Sequence, residues 1–213
     1  MTAAPPLPRW LQAYTQKPRA PQKAPPPNGA PKVERWSIPQ ELRTHRAWAC
    51  WRYEYENQRW SKPPYQPEGI RAEASDLSTW AEFDDAYESY RQADYPADHI
   101  SKRPYDGVSF ALDTRWGIVG IDLDHVSEHQ RDADHIVQAL DSYTEWTPSR
   151  DGYRIFVKAR LPDGRRRRDW VEIYRERRFL TVTGQHLART PTTITSNQRA
   201  LERVWKVWVQ QDA

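Results

Sequence analysis

Asp122 and Asp124 stand two residues apart in GIVGIDLDHV, residues 117–126, among Ile118, Val119, Ile121 and Leu123. A strand turns successive side chains to opposite faces. Ile121 and Leu123 therefore face a core, and Asp122 and Asp124 project together from the other side. Two adjacent carboxylates raise each other's pKa unless something positive lies between them. A divalent metal is the simplest such cation, and Mg2+ favours carboxylate oxygens, water and substrate phosphates. The same pair also suits a solvated sheet face or a Ca2+ site, so alone it selects no reaction. WVEIYRE, residues 170–176, repeats the alternation, with Val171 and Ile173 inward and Glu172 and Tyr174 outward. If that strand lies beside the first, Glu172 becomes a third carboxylate on one face. Three carboxylates suit two metals about 3.5–4 Å apart, which stabilise the attacking and leaving oxygens of a phosphoryl displacement.

Between the acids lies TPSRDGYRIFVK, residues 147–158. Pro148 ends one strand, a turn with Ser149 and Gly152 follows, and the next strand begins. Backbone N–H groups in such a turn can form an anion-binding nest. Ser149 adds a hydroxyl, and Arg154 adds a fork of donors matched to phosphate. Read alone, SRDG is equally a plain hairpin turn. DGRRRRDW places Arg165, Arg166, Arg167 and Arg168 in a hairpin loop just before Glu172. A cationic run beside a metal site can guide a phosphate backbone, with a salt-dependent gain. A solvated loop without a ligand is the alternative.

The elements that must position these residues follow from pattern. The chain has 213 residues, room for one ordinary domain plus a tail. Residues 1–33 carry Arg9, Lys17, Arg19, Lys23 and Lys32 and no acid, so the formal net charge of +3 leaves the remainder slightly acidic. Proline density there forbids helices and inner strands, because each proline removes an N–H donor. The expected organisation is a basic, disordered tail over 1–33, with a possible short helix at Trp10–Tyr14, and a folded domain over 34–213. One cysteine, Cys50, excludes an internal disulfide and a Cys-based zinc ribbon, and fits a reducing, cytoplasmic setting. No apolar run approaches the ~18 residues of a membrane span, and the proline-rich start does not read as a signal peptide.

Helical spacing predicts helices over 78–93 (capped by Ser78 or Thr79), 132–140 and 196–210, with Leu201, Val204, Trp205 and Trp208 inward in the last. IPQELRTH reads as a helical turn, 47–56 as a strand, and 60–67 as a loop or edge strand broken by prolines. DGVSFALD and WGIVGIDLDH read as two strands joined by a tight turn, and four more strands fill 142–184. The sum is an α+β domain with a mostly antiparallel sheet.

The order of these blocks resembles the archaeo-eukaryotic primase superfamily, above all the primase–polymerase domains of phages, plasmids and other mobile elements. WSKPPY, DLSTW, DGVSFAL, GIDLDH, SYTEWTPS, SRDGYRIF, VEIY and RFLTVTG carry the likeness, over about Trp36 to Gly184. The resemblance implies a core related to the RNA-recognition-motif fold joined to an N-terminal α/β unit, and nucleotide joining on a template with Mg2+ or Mn2+. By that analogy Asp122, Asp124 and Glu172 hold metal and are catalytic. Ser149, Gly152 and residue 154 hold the incoming triphosphate, with Lys62 and Arg178 reaching it or the template. Thr183 and Gly184 would let the nucleotide approach the backbone, and His125 would support the acids from behind. His129 and His135 are expected to be exposed. The family usually places His where this chain has Arg154. An arginine still binds phosphate but does not readily give a proton to a leaving pyrophosphate.

The implied activity is a template-directed DNA primase–polymerase acting on a single-stranded DNA template and primer with dNTPs or NTPs. No GxxxxGK[ST] loop is present, so unwinding is expected to come from elsewhere, with the helicase separate or missing. The rival readings are a single-stranded DNA or origin-binding module of low activity, and a metal-dependent nuclease.

Overall fold

The protein is described by a computed structural model, in which residues 29–91 and 105–210 are defined. The tail to residue 28, with its Trp10–Tyr14 segment, lies outside these residues, as do Gln92 and Ala93. Among the described residues the architecture is mixed α+β. A short helix α1 (Gln40–Arg43) precedes four strands: β1 (Trp48–Trp51), β2 (Glu54–Glu56), β3 (Arg59–Ser61) and β4 (Pro64–Tyr65). Helix α2 (Phe83–Arg91), β5 (Gly107–Leu112) and β6 (Ile118–Asp124) follow, then α3 (Gln130–Leu140), β7 (Thr144–Trp146) and β8 (Gly152–Lys158). The chain continues through β9 (Arg167–Arg168), β10 (Val171–Tyr174) and β11 (Arg178–Val182) to α4 (Gln198–Trp205), which runs on as a π-turn, Lys206–Gln210.

The strands build two sheets and a ribbon, not one sheet. Sheet 1 has the order β11-β5-β1-β4, sheet 2 the order β7-β8-β6-β10-β9, and β2-β3 pair alone. Every pairing between these strands is antiparallel. The alternation read from the sequence decides which face of sheet 2 goes where. Val119, Ile121 and Leu123 of β6 join Tyr153, Ile155 and Val157 of β8 and Val171 and Ile173 of β10 in one core. Helices α3 and α4 cover that face with Ala133, Ile136, Leu140, Leu201 and Val204. The opposite face packs its Ile118 and Phe156 end on Phe110, Leu112 and Leu180 of sheet 1. Gly120 permits this close approach, since a Cβ there would run into Leu180 Cδ1 and stand 3.0 Å from Leu112 Cδ1. Beyond Gly120 the same face turns polar, and the candidate site begins.

Several expectations need correction, among them the strand over 47–56, which breaks into β1 of sheet 1 and β2 of the ribbon. The segments 106–113 and 116–125 are both strands but do not pair. A 3-10 turn, Thr114–Trp116, capped by Asp113, carries the chain from sheet 1 to sheet 2. Each strand already has partners on both sides: β1 and β11 flank β5, and β8 and β10 flank β6. The helix expected over 78–93 begins only at Phe83, and neither Ser78 nor Thr79 caps it. Asp76 instead caps a 3-10 turn, Leu77–Thr79, by accepting from the Ser78 N–H (2.9 Å). The physical reason lies in β4, which spans two residues and leaves the start of β1 open. Ala81 fills that gap, exchanging backbone hydrogen bonds of 3.0 and 2.7 Å with Trp48, which pulls the chain out of helical geometry. The final segment is α-helical only to Trp205; Leu201, Val204 and Trp205 are buried as read, whereas Trp208 is only partly buried and Val209 fully so.

Ordered structure reaches back before Trp36. Val33 is buried, its N–H donating to the Tyr90 hydroxyl (3.2 Å), and the Glu34 N–H donates to the Thr183 carbonyl (2.8 Å). No described helix is long and apolar enough to cross a membrane.

Candidate active site

Directly opposed residues of antiparallel strands put their side chains on the same face. Across sheet 2 one row reads Glu145, Arg154, Asp122, Glu172, Arg167, from β7 through β8, β6 and β10 to β9. The strand register therefore brings Glu172 beside Asp122, the condition on which a three-carboxylate face depended. The row is heavily bonded. Arg154 Nη2 donates to Asp122 Oδ1 at 2.8 Å, with the arginine only 4% exposed. Glu172, also buried, accepts from the Tyr174 hydroxyl at 2.8 Å and from Arg178 Nη2 at 3.4 Å, and pairs with Arg167, whose Nε lies 3.0 Å away.

Asp124 lies one pleat further along, opposite Gly152. It is half-buried, and among the described residues its carboxylate has no hydrogen-bond or ion-pair partner. Burial raises its pKa, and the charges of Asp122 and Glu172 raise it further, against the opposing pull of Arg154 and His125. Gly152 fits where a side chain does not: a Cβ would stand 2.7 Å from both the Leu123 carbonyl and Thr147 Oγ1. That close fit seats the turn 147–151 at the Asp124 end of β6. Within the turn, Ser149 is exposed, with its Oγ 3.0 Å from Thr147 Oγ1.

Cations reach this face from beside the two opposite edges of sheet 1. Arg178, first residue of β11, reaches Glu172 and lies over the Tyr174 ring, 4.8 Å from its centroid. Lys62, between β3 and β4, has a side chain open to solvent but an ammonium crowded by protein near Arg154, Asp122 and Asp124. Burial lowers its pKa, Arg154 adds to that, and the two carboxylates partly offset it. Residues more than a hundred positions apart thus converge where the sheets face each other.

Other candidates fall outside this cluster. His125 has a positive φ of 53° and stands exposed, Nδ1 3.6 Å from Asp151 Oδ2. His135 is exposed as expected, but His129 is half-buried and stacks on Trp170 with centroids 4.6 Å apart. The backbone N–H groups of Thr183 and Gly184 are not open to a nucleotide. Both donate at 2.8 Å to Glu145. The arginine run is partly spent on the protein itself: Arg166 donates to the Pro162 carbonyl (2.6 Å), Arg168 Nε lies 3.6 Å from Asp169, and Arg167 binds Glu172. The backbone of Arg165 is gripped by the C-terminal segment, its N–H by Gln210 (3.3 Å) and its carbonyl by the Trp205 indole (3.0 Å). Arg165 and Arg167 keep exposed side chains.

Glu145 is a member of the row that sequence reasoning passed over. It is fully buried and receives three donors: the Thr183 and Gly184 N–H groups and the Tyr143 hydroxyl, the last at 2.7 Å. Burial pushes its carboxyl up, while those donors and Arg154 pull it back. The only signal in the sequence is an acid two residues from Tyr143 within a strand, which does not distinguish it from an acid facing water.

Among the described residues no three His, Cys, Asp or Glu side chains are arranged to hold a metal ion. The donor set still fits a divalent cation at one place. Asp124 is a half-buried carboxylate without an ion pair among the described residues and with a second carboxylate beside it, and cation binding offsets that repulsion. Asp122 and Asp124 are the carboxylates nearest such a place; Asp122 already bonds Arg154, and Glu172 has three partners of its own.

No family model matches the chain. It is similar to the DNA primase-polymerase of Nitratiruptor phage NrS-1, with 28% identity over 156 residues, covering 68% of this chain. The match spans about a fifth of that protein's length (20%).

Proposed function

We propose that this chain is the catalytic unit of a template-directed nucleotidyltransferase, a DNA primase–polymerase of a phage or other mobile replication system. One observation carries the reading: Asp122, Asp124 and Glu172 share a sheet face on which Lys62, Arg154 and Arg178 converge. Carboxylates alone suit many hydrolytic and transfer reactions. Carboxylates interleaved with cations from a second sheet suit a substrate carrying both a metal and a polyphosphate. The similarity to a phage primase-polymerase supports the same reading.

In this account Asp122 and Asp124 hold Mg2+ or Mn2+, which when bound lowers the pKa of an attacking hydroxyl and neutralises a departing pyrophosphate. Lys62 and Arg178 bind the triphosphate of a dNTP or NTP from opposite sides. Arg154 adds a guanidinium whose planar fork of donors matches phosphate oxygens. Ser149 and the turn ending at Gly152 hold the phosphate tail at the Asp124 end. Glu172 keeps Arg178 and Arg167 in place and adds negative charge on the face it shares with Asp122. Arg165, its backbone held by the C-terminal segment, and Arg167, paired with Glu172, line the path of a single-stranded DNA template or primer.

The nucleotide role of the two cations from sheet 1 is open to direct test. Lys62→Met and Arg178→Met each remove a charge-assisted contact worth about 1.5–3 kcal/mol. Each is expected to raise the KM for dNTP by roughly 10–100-fold in primer extension, with a melting temperature close to wild type. Unchanged KM in both variants contradicts the assignment. The Asp122–Arg154 bond favours one other reading, a single-stranded DNA or origin-binding module whose carboxylate is neutralised by its own arginine. Tight binding of single strands without nucleotide transfer establishes that alternative.

A further inference from the structure

Arg154 is under-supplied with acceptors. A guanidinium carries five N–H donors, and here one hydrogen bond, to Asp122 at 2.8 Å, serves this almost fully buried side chain. Its Nε is buried without any partner. Buried donors without acceptors are costly and uncommon, so the position favours a ligand that brings oxygens. Its partner Asp122 sits in the opposite situation. One of its oxygens is committed to Arg154, while the neighbouring Asp124 makes no ion pair among the described residues and is only offset at longer range by Arg154 and His125. Two adjacent carboxylates are thus neutralised unequally, by a residue that is itself incompletely satisfied.

We infer that Arg154 is a latch that makes cation binding and polyphosphate binding depend on each other. The inference rests on the nucleotidyltransferase reading of the site. Without phosphate, Arg154 holds Asp122 and competes with a divalent cation for that carboxylate. A triphosphate offers the guanidinium several anionic oxygens in a geometry it matches with two parallel bonds. Arg154 then releases Asp122, and the Asp122–Asp124 pair is free to take the cation. Linkage makes the effect mutual: a cation on Asp122 frees Arg154 for phosphate to the same degree. A histidine at this position would compete less, because it is largely neutral at working pH. The coupling is therefore a property of this chain's arginine.

Mn2+ alone is the probe, titrated into the full chain without nucleotide, with free Mn2+ read by its paramagnetic resonance signal. Wild type is expected to bind weakly. Arg154→Ala is expected to bind roughly tenfold tighter, since the competing charge-assisted bond is gone. Arg154→Lys, which keeps the charge without the fork, is expected to fall between them, and it serves if the alanine variant folds poorly by circular dichroism. Asp124→Asn is expected to abolish binding in both backgrounds. Equal or weaker Mn2+ binding in folded Arg154→Ala and Arg154→Lys overturns the latch. Failure of the underlying reading looks different: Mn2+ binding that is indifferent to Asp124→Asn places the cation elsewhere and removes the latch with the site.

Discussion

Replacing Asp122 and Asp124 together by asparagine is expected to reduce primer extension by about three orders of magnitude, the scale of several kcal/mol of lost charge stabilisation. Asparagine preserves shape and removes charge, so the loss isolates electrostatics from packing. The two single variants are expected to separate in stability, because their carboxylates are in different circumstances. Asp124 is half-buried, unpartnered and repelled by Asp122 and Glu172, so Asp124→Asn should melt at or above the wild-type temperature. Asp122 bonds a buried arginine, so Asp122→Asn removes that arginine's one hydrogen-bonded carboxylate among the described residues and should cost about 1–3 kcal/mol. Thermal unfolding beside a single-turnover extension assay checks both statements. Activity above a tenth of wild type in the double variant contradicts the assignment of these carboxylates.

The second large effect is structural. Glu145 joins β7 to the chain leaving β11 by capturing two successive backbone N–H groups and the Tyr143 hydroxyl. Glu145→Ala strands three buried donors at once, each costing about 1–3 kcal/mol. The expected loss is about 4 kcal/mol, which lowers the melting temperature by roughly 10 °C in a domain of this size. Glu145→Gln is expected to be harmful too. One end of the amide must present N–H hydrogens to a donor where the carboxylate presented an acceptor. Arg154 also loses the charge facing it across the strand, so the damage extends to the row that carries Asp122. Urea unfolding of the two variants tests this; a change below 1 kcal/mol in Glu145→Ala contradicts it.

What was legible in the sequence follows from period. An alternation of two residues fixes faces, so the inward Ile121 and Leu123 and the outward Asp122 and Asp124 could be read before any neighbour was known. The same argument placed Glu172 outward and left only its strand partner undecided. Partnership between strands is set by distant contacts, and no local pattern announces that Asp113 to Gly117 crosses from one sheet to another. Lys62 and Arg178 could be named as candidates through the family resemblance. That they approach one carboxylate row from opposite edges of sheet 1 depends on tertiary packing. Glu145 was illegible for a related reason: the Thr183 and Gly184 N–H groups that give it a role lie nearly forty residues away. The arginine run shows the opposite error of scale. Four consecutive cations look like one surface, yet Asp163, Asp169 and Glu172 lie within ion-pair reach of Arg166, Arg168 and Arg167.

The central claim is that this seam of carboxylates and cations joins nucleotides as a template directs. The most direct measurement presents a primed single-stranded DNA template of known sequence to the protein, with each dNTP and each NTP offered alone. Mg2+ or Mn2+ is supplied in one arm and withheld in the other. The account predicts that the primer grows by one residue only when the nucleotide complements the next template base and only when the metal is present. A folded protein that binds the template but adds no nucleotide with either metal, or adds any nucleotide regardless of the template base, contradicts it.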